Sequence, residues 1–425
     1  MKKVSTTICI VMCVLLICIL FSGCDSISNN RKLQIWHKVS TVEDLFAMKS
    51  GKCYKLQNDI DLQGAEWTPL FVKGFDGNGH KVSNATILTT GTDNWSDYVG
   101  LIGRSTWFDN VTIDNFTIII NKRQKNNLTY VSFGVGWANE VTNVTVSNSS
   151  CISGIGGNFG GVVGRAAGII DNCQAINNNY VGNGKSAFGG IVSEGMNGVA
   201  ISNCLVKQFK ASADVAGGIV YSLTNGKETS KIENCSVVDS ELTAGIVAGI
   251  AIGSANGYIS GCNVENNTLT VSKEVSGILN TSTTNTGSIS DCLVKDNTFT
   301  CTASGGYFAG VAIHLSVPIH STLAINNEMK TKDAASHSAG FVWEYKSLCY
   351  VTNCGVYYGI SQGLYYQFSP QTEQILDCYL SEGRGDNNFD ILTYDEWRNP
   401  EILREKFKIT SEVWNLVDGE LPSFK

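Results

Sequence analysis

The chain has 425 residues, 44 of them glycine and only five proline, with 43% apolar and 16% charged residues. This length and apolar share suffice for one large buried core, while the glycine excess excludes a mainly helical protein. A formal charge of −7 without any long Lys/Arg run argues against a nucleic-acid partner and against basic attraction to an anionic membrane.

At the N-terminus, Lys2 and Lys3 precede an apolar run from Ile8 to Leu20, closed by Phe21-Ser22-Gly23-Cys24. The run is shorter than the ~20 residues a spanning helix needs, and its layout is that of an export signal. The pattern resembles a bacterial lipoprotein signal, although Phe21 stands where that pattern prefers Leu. The resemblance implies cleavage after Gly23, lipid attachment at Cys24 and a partner membrane reached through that anchor. Residues 1–23 are then the signal peptide and 24–40 a polar tether. Loss of the two lysines takes the formal charge from −7 to −9. The expected location is the cell envelope, at the outer membrane or cell surface.

Residues 41–98 read as an N-terminal cap and first coil, with Leu45 and its neighbours covering one end. Asn58-Asp59-Ile60-Asp61-Leu62 alternates, which places Ile60 and Leu62 inward and both carboxylates outward. Asp76-Gly77-Asn78-Gly79-His80 reads as a tight turn. The competing reading, a metal or acid-base site, has one histidine and no second ligand nearby.

From residue 99 to 385 a phrase recurs: a small polar residue, then Cys or another small residue, then strand-forming residues. It begins at Asn110, Asn143, Asn172, Asn203, Asn234, Gly261, Asp291, Ser321, Asn353 and Asp377, at spacings of 33, 29, 31, 31, 27, 30, 30, 32 and 24 residues. A second phrase, Gly followed by two apolar residues, keeps step at Gly100, Gly134, Gly161, Gly190, Gly218, Gly249, Gly277, Gly310, Gly340 and Gly363. Two phrases in step over such spacings predict a stacked solenoid. Runs such as Val141-Thr142-Asn143-Val144-Thr145-Val146 alternate and favour Val, Ile and Thr, so the repeat is β. The expectation is an all-β, right-handed parallel β-helix of about ten coils, some 48 Å long at ~4.8 Å per coil, and monomeric.

Eleven of the fifteen cysteines follow Cys24. Seven of them, Cys173, Cys204, Cys235, Cys262, Cys292, Cys354 and Cys378, share one repeat position and so form a structural ladder. Val111, Val144 and Thr322 fill that position elsewhere, which suits free thiols used as small inward hydrophobes. Disulfides between rungs would need a torsion that strand-paired neighbours rarely offer. A metal site would lack both a ladder histidine and a C-x-x-C pair, and no cofactor is expected.

The stretch Lys52 to Leu62, then Trp67-Thr68-Pro69-Leu70 and Gly74 to Asn84, resembles the opening of bacterial surface lipoproteins with GLUG motifs, repeats shared with IgA-specific metallopeptidases. Tyr98-Val99-Gly100-Leu101-Ile102-Gly103 and Phe159-Gly160-Gly161-Val162-Val163-Gly164 resemble the motif itself. The resemblance implies architecture and surface location more than activity. The zinc motif H-E-x-x-H of those peptidases is absent, because His37, His80, His314, His320 and His337 form no such pair.

No catalytic residue is assigned. An enzyme acting on polysaccharide would need carboxylates paired from adjacent coils. The candidates Asp171, Glu233 and Asp291 are separated by rungs holding Ser202 and Ser260, which suits turn-capping or solvated acids better. Aromatics are the stronger signal. Trp95, Trp107 and Trp137 lie in the first coils, and Trp343, Tyr345, Tyr350, Tyr357, Tyr358, Tyr365 and Tyr366 crowd the last. They read either as a ligand surface, with Trp343, Tyr358 and Tyr366 as binding residues, or as plugs at the ends of the core. Residues 386–425, charged and helical around Thr393 to Phe407, read as a C-terminal cap over the raw solenoid end. The expected function is a surface-anchored adhesin or a scaffold binding glycans or host surface and matrix proteins. A lyase or glycosidase is the alternative.

Wild-type protein is expected to partition into detergent and Cys24→Ala protein to remain aqueous. Recovery of the wild type as unlipidated secreted protein would refute the anchor.

Overall fold

The computed structural model describes residues 31–89, 97–121, 129–183, 185–196, 198–224, 228–254, 257–330, 332, 337–345, 350–357, 375–381, 390–409 and 412–425. Their strands form two parallel sheets, of 31 and 16 strands, and one small antiparallel pair. A turn is built from short strands, as in Ser186–Gly189, Val192–Gly195, Ala200–Ser202, Leu205–Lys207 and Lys210–Ser212. Each pairs in parallel with its counterpart one turn on, for example Phe188 with Ala216, Ile201 with Ile232 and Val206 with Val237. The result is a parallel β-solenoid of about eight turns. Nine copies of the cysteine phrase, Asn110 to Asn353, bound those turns. The tenth lies on a rung of which only Ile375–Leu376 and Tyr379–Ser381 are described.

The phrase has a conformational cause. Its first residue is left-handed on every rung, with φ between 45° and 60° from Asn110 and Asn143 through Gly261 and Ser321 to Asp377. A second left-handed corner follows at Asn115, Asn148, Asn177, Gln208, Asp239, Asn266, Asp296 and Asn326. Asn, Asp and Gly tolerate this region best. The corner amides also bond along the stack: Asn143 donates to Asn110 Oδ1 at 3.0 Å, Asn172 to Asn143 at 2.8 Å and Asn177 to Asn148 at 2.7 Å.

Between the corners, inward rows fill the interior. One runs Ile170, Ile201, Ile232, Ile259, Ile289 and Ile319, and another Val206, Val237, Val264 and Val294, all at most 1% exposed. The asparagine pairs hold a feature that composition hides. In Asn177-Asn178, Asn266-Asn267 and Asn326-Asn327 the first residue makes the corner, whereas the second turns inward. Asn178 and Asn267 are 2% exposed, so their amides need partners inside. Asn267 accepts from Ser240 N, and its own N–H donates to Asn297 Oδ1 at 2.9 Å. Asn297 accepts that bond and donates Nδ2 to Val264 O at 2.8 Å.

The glycine phrase has a steric cause. At Gly218 an added Cβ would lie 1.9 Å from the Gly249 carbonyl oxygen of the next turn, and at Gly190 2.0 Å from that of Gly218. The preceding glycine, Gly189, would put a Cβ 1.8 Å from the Val192 oxygen across the bend. Main chain therefore occupies the side-chain space on both sides, and only glycine fits.

At the N-terminal end, Thr41 caps the short helix Val42–Phe46 in a reciprocal box with Asp44, and Leu45 is fully buried. Ile60 and Leu62 point inward while Asp59 and Asp61 are exposed. The C-terminal segment takes a different position from the cap expected over the solenoid end. Asn399 caps helix Pro400–Phe407, and Leu403, Phe407, Trp397 and Trp414 form a second apolar cluster with Leu293, Leu323, Ile325, Tyr357 and Tyr379. Leu293, Leu323, Gly355 and Tyr379 make one row on successive rungs, pointing away from the core that holds Cys292 and Val294. The segment thus packs along the flank of the last rungs, because an apolar outward row is available there. Gly355 leaves room for it, since a Cβ there would meet Trp397 and Phe407 at 2.6 Å.

Gly218→Ala is expected to destabilise the fold by more than the ~1–3 kcal/mol typical of overpacking, because backbone rather than a side chain must move. Denaturant melts of this variant beside Gly253→Ala, where an added Cβ would meet nothing closer than 3.8 Å, check the point. Equal losses would show that the close approach is not what selects glycine.

Candidate functional site

The bend at the glycine phrase is concave. At a convex corner the outward side chains of the two flanking strands diverge, but here they meet. Tyr130 donates its hydroxyl to Glu194 across the bend, Arg165 lies over the Tyr130 ring with its carbon 5.1 Å from the centroid, and Asn280 bonds Glu274 at 2.9 Å. The stacked bends therefore form a notch along the solenoid. One wall carries Tyr98, Tyr130, Asn158, Ala187, Val215, Ile246, Glu274 and Tyr307 on successive rungs. The other carries Arg104, Trp137, Arg165, Glu194 and Ser222, continuing to Thr281, His314 and Glu344.

Its N-terminal half is aromatic and basic. Tyr98 and Tyr130 stack at 5.9 Å with rings 13° apart, and Phe71 meets Tyr98 edge-on. The Arg104 guanidinium sits 4.3 Å from the Trp137 ring centre, a cation–π contact. Arg165 pairs with Glu194 at 3.2 Å. Burial, and then the Glu194 carboxylate that accepts its hydrogen bond, push the Tyr130 hydroxyl far above its usual range. The far half is acidic: His314 contacts Glu344 at 2.5 Å and Glu274 at 3.8 Å, and Tyr307 packs against Trp343 at 5.5 Å.

The aromatics singled out in the sequence divide. Trp137 and Trp343 are half-buried in the notch. Trp107 is 4% exposed and Gly74 separates its ring from that of Trp36. Tyr350 is exposed. Tyr357 is buried against Trp397 at 5.4 Å, so it holds the C-terminal segment and offers no ligand surface. Trp95, Tyr358, Tyr365 and Tyr366 lie outside the described residues, as do Cys24 and the side chain of Tyr345.

The seven ladder cysteines stack in the interior as free thiols. Each reaches back to a carbonyl two residues earlier, as Cys204 does to Ser202 O at 3.1 Å and Cys235 to Glu233 O at 3.3 Å. Burial pushes the thiols of Cys173, Cys235, Cys292 and Cys354 well up, which keeps them neutral donors. Among the described residues no group of three His, Cys, Asp or Glu side chains is placed to hold a metal ion.

The three acids considered as catalytic do not converge. Asp171 and Glu233 share an outward row with Ser202 between them, and Asp171 accepts from Ser202 and Asn203 at 2.6 and 2.8 Å. Asp291 occupies the left-handed corner instead of that row. Farther along the same row, however, Asp76 and Asp109 are direct neighbours, a pair that the sequence hides because the two residues lie on different turns and Asp76 opens a tight turn. There Asn78 N–H bonds the Asp76 Oδ1 at 2.8 Å. Burial acts to raise the Asp76 pKa, but that bond, Asn110 and Lys55 at 3.0 Å outweigh it and hold the carboxyl below its ordinary value. Asp109 is fully buried beneath Arg31, which pairs with it and lies 3.6 Å from Glu140. Its Oδ1 accepts no hydrogen bond. Burial, opposed by Arg31, pushes its pKa up to about 6.

No family model and no curated protein matches the chain. Among solved structures it is similar to a candidate immunoglobulin A1 protease from Bacteroides ovatus, at 16% identity over 92% of each chain with a TM-score of 0.38. It is also similar to the A-module of a mannuronan C-5 epimerase from Azotobacter vinelandii, at 10% identity over 71% of this chain and 95% of that one, TM-score 0.29. At such TM-scores neither likeness carries an argument, and the GLUG resemblance rests on the sequence phrases alone.

Asp109 generates a pH prediction. Its folded pKa lies above the unfolded value, so between about pH 4 and 6 the native state holds a proton that the unfolded chain releases, and stability falls as pH rises. A shift from 3.8 to about 6 corresponds to roughly 3 kcal/mol. Asp109→Asn is expected to gain on wild type by that order between pH 4 and 7 in denaturant titrations. A pH-independent difference would remove the argument.

Proposed function

We propose that the protein is a lipid-anchored surface lipoprotein whose β-helix is a binding scaffold, an adhesin that takes glycans along the notch. The observation that carries this reading is the placing of half-buried Tyr98, Trp137, Tyr307 and Trp343 along one concave track. Flat aromatic faces suit sugar rings, and a track with polar neighbours can orient them. A chain laid along it meets a new rung every ~4.8 Å, close to the length of one pyranose unit. The lipoprotein-like signal and the GLUG-like phrases support display at the cell envelope. Host surface or matrix proteins are the competing partner class.

A second reading, an enzyme acting on polysaccharide, is favoured by one observation. Asp76 and Asp109 are carboxylates on neighbouring rungs, one held low and one raised, which is the arrangement that separates a base from an acid. Arg31 covers Asp109, so substrate access would require the N-terminal segment to lift.

Both readings are tested together on the purified domain. Glycan and matrix-protein arrays are expected to give binding that falls about ten-fold or more, ~1.4 kcal/mol, in Trp137→Ala or Trp343→Ala with melting temperature retained. Lower melting temperatures with unchanged attachment per folded molecule would sink the binding reading. Release of reducing sugar by wild type, abolished in Asp109→Asn, would establish the enzyme instead.

A further inference from the structure

The charges of the notch are unequally satisfied, and this narrows the ligand class. In the N-terminal half, successive rungs on one wall present Phe71, Arg104, Trp137, Arg165 and Glu194. Arg165 is committed: it pairs with Glu194, which also receives the Tyr130 hydroxyl. Arg104 is not. The residue is exposed, its guanidinium carbon lies over the Trp137 ring at 4.3 Å from the centre, and it has no carboxylate within ion-pair distance among the described residues. Elsewhere on the solenoid some cations pair with an acid, as Lys55 does with Asp76, Lys210 with Glu241 and Lys295 with Glu265, whereas others, such as Lys231, stand without one among the described residues. Arg104 differs from these in lying over an aromatic ring.

The Trp137 ring restrains the Arg104 fork, which forms no ion pair among the described residues, and such restraint lowers the ordering cost of binding a planar anion in two parallel hydrogen bonds. The Trp137 indole lies against it, and Phe71, the neighbour of Arg104 one rung back, meets Tyr98, which stacks on Tyr130. A guanidinium fork next to aromatic platforms in a groove is a receptor for a sugar that bears a carboxylate. The acidic far half, with Glu274 and Glu344 around His314, would repel the same ligand, so the acidic sugar belongs at the Arg104 end.

We propose that the N-terminal half of the notch binds uronic-acid-containing glycan, with Arg104 pairing the carboxylate and Trp137 and Tyr98 flanking the ring. This rests on the glycan-binding reading and specifies its ligand. Sulfated sugars share the anionic chemistry, but a uronate matches the planar fork and is the class we assign.

Calorimetric titration of the whole mature chain decides it, using a galacturonic acid hexamer, its carboxyl-reduced counterpart and a sulfated neutral hexamer. The uronate is expected to bind at least ten-fold more tightly than the other two. Arg104→Ala should remove that preference while leaving the weak binding of the reduced hexamer intact, which also reports a folded groove. Arg104→Lys should recover part of it, and Lys231→Ala, on another face, should change nothing. Equal affinity for uronate and reduced hexamer, or retained preference in Arg104→Ala, overturns the carboxylate assignment while glycan binding stands. Tighter binding of the sulfated hexamer reassigns the anion and overturns it too. No binding of any hexamer overturns both this inference and the reading beneath it.

Discussion

Every side chain in a parallel solenoid must tolerate its own equivalent stacked ~4.8 Å above and below it. That repeated self-contact governs the rest of the molecule. Rows of Ile and Val satisfy it by packing. Rows of Asn satisfy it because an amide both donates and accepts, so identical residues bond one another in series, at the corners (Asn110, Asn143, Asn172) and inside, where Asn267 Nδ2 donates to Asn297 Oδ1. Cysteine satisfies it as a small thiol whose proton has a local carbonyl. Glycine satisfies it where the approaching group is backbone.

Charge satisfies it only by alternation, since like charges one rung apart repel. Outward rows accordingly place Arg165 above Glu194, Lys210 above Glu241 and Glu265 above Lys295. Asp76 above Asp109 breaks the pattern, and the chain compensates with Lys55 on one side and Arg31 on the other. The N-terminal segment is thus held partly by the cost of leaving Asp109 unpaired in the interior. The notch departs differently: Arg104 stacks on an indole where the pattern would supply an acid.

Much of the fold was legible because the constraint acts locally. The left-handed corners appear as Asn and Asp, the close approach as Gly, and the inward rows as Ile and Val at fixed offsets. Three things were not legible. The second asparagine of each pair turns inward, since composition cannot say which amide faces the core. The C-terminal segment lies on the flank, a choice set by Leu293, Leu323 and Ile325, which read as ordinary strand residues. The notch itself was hidden, because its walls come from strands either side of a bend whose sense, concave or convex, has no signature in a glycine pair. Trp137 and Trp343 were visible as aromatics, but their shared track and the partners of Arg104 depend on that sense.

The flank-packed segment changes how the solenoid comes apart. A stack with only nearest-neighbour contacts frays from its ends, one rung at a time, with local stability declining smoothly outward. Trp397, Leu403 and Phe407 touch rows running from Leu293 to Tyr379, so the last turns share a single strap. Peeling the final rung must also loosen the strap from rungs well inside the stack. The C-terminal turns then open as one cooperative block or not at all, and amide protection should fall in a step there rather than along a gradient.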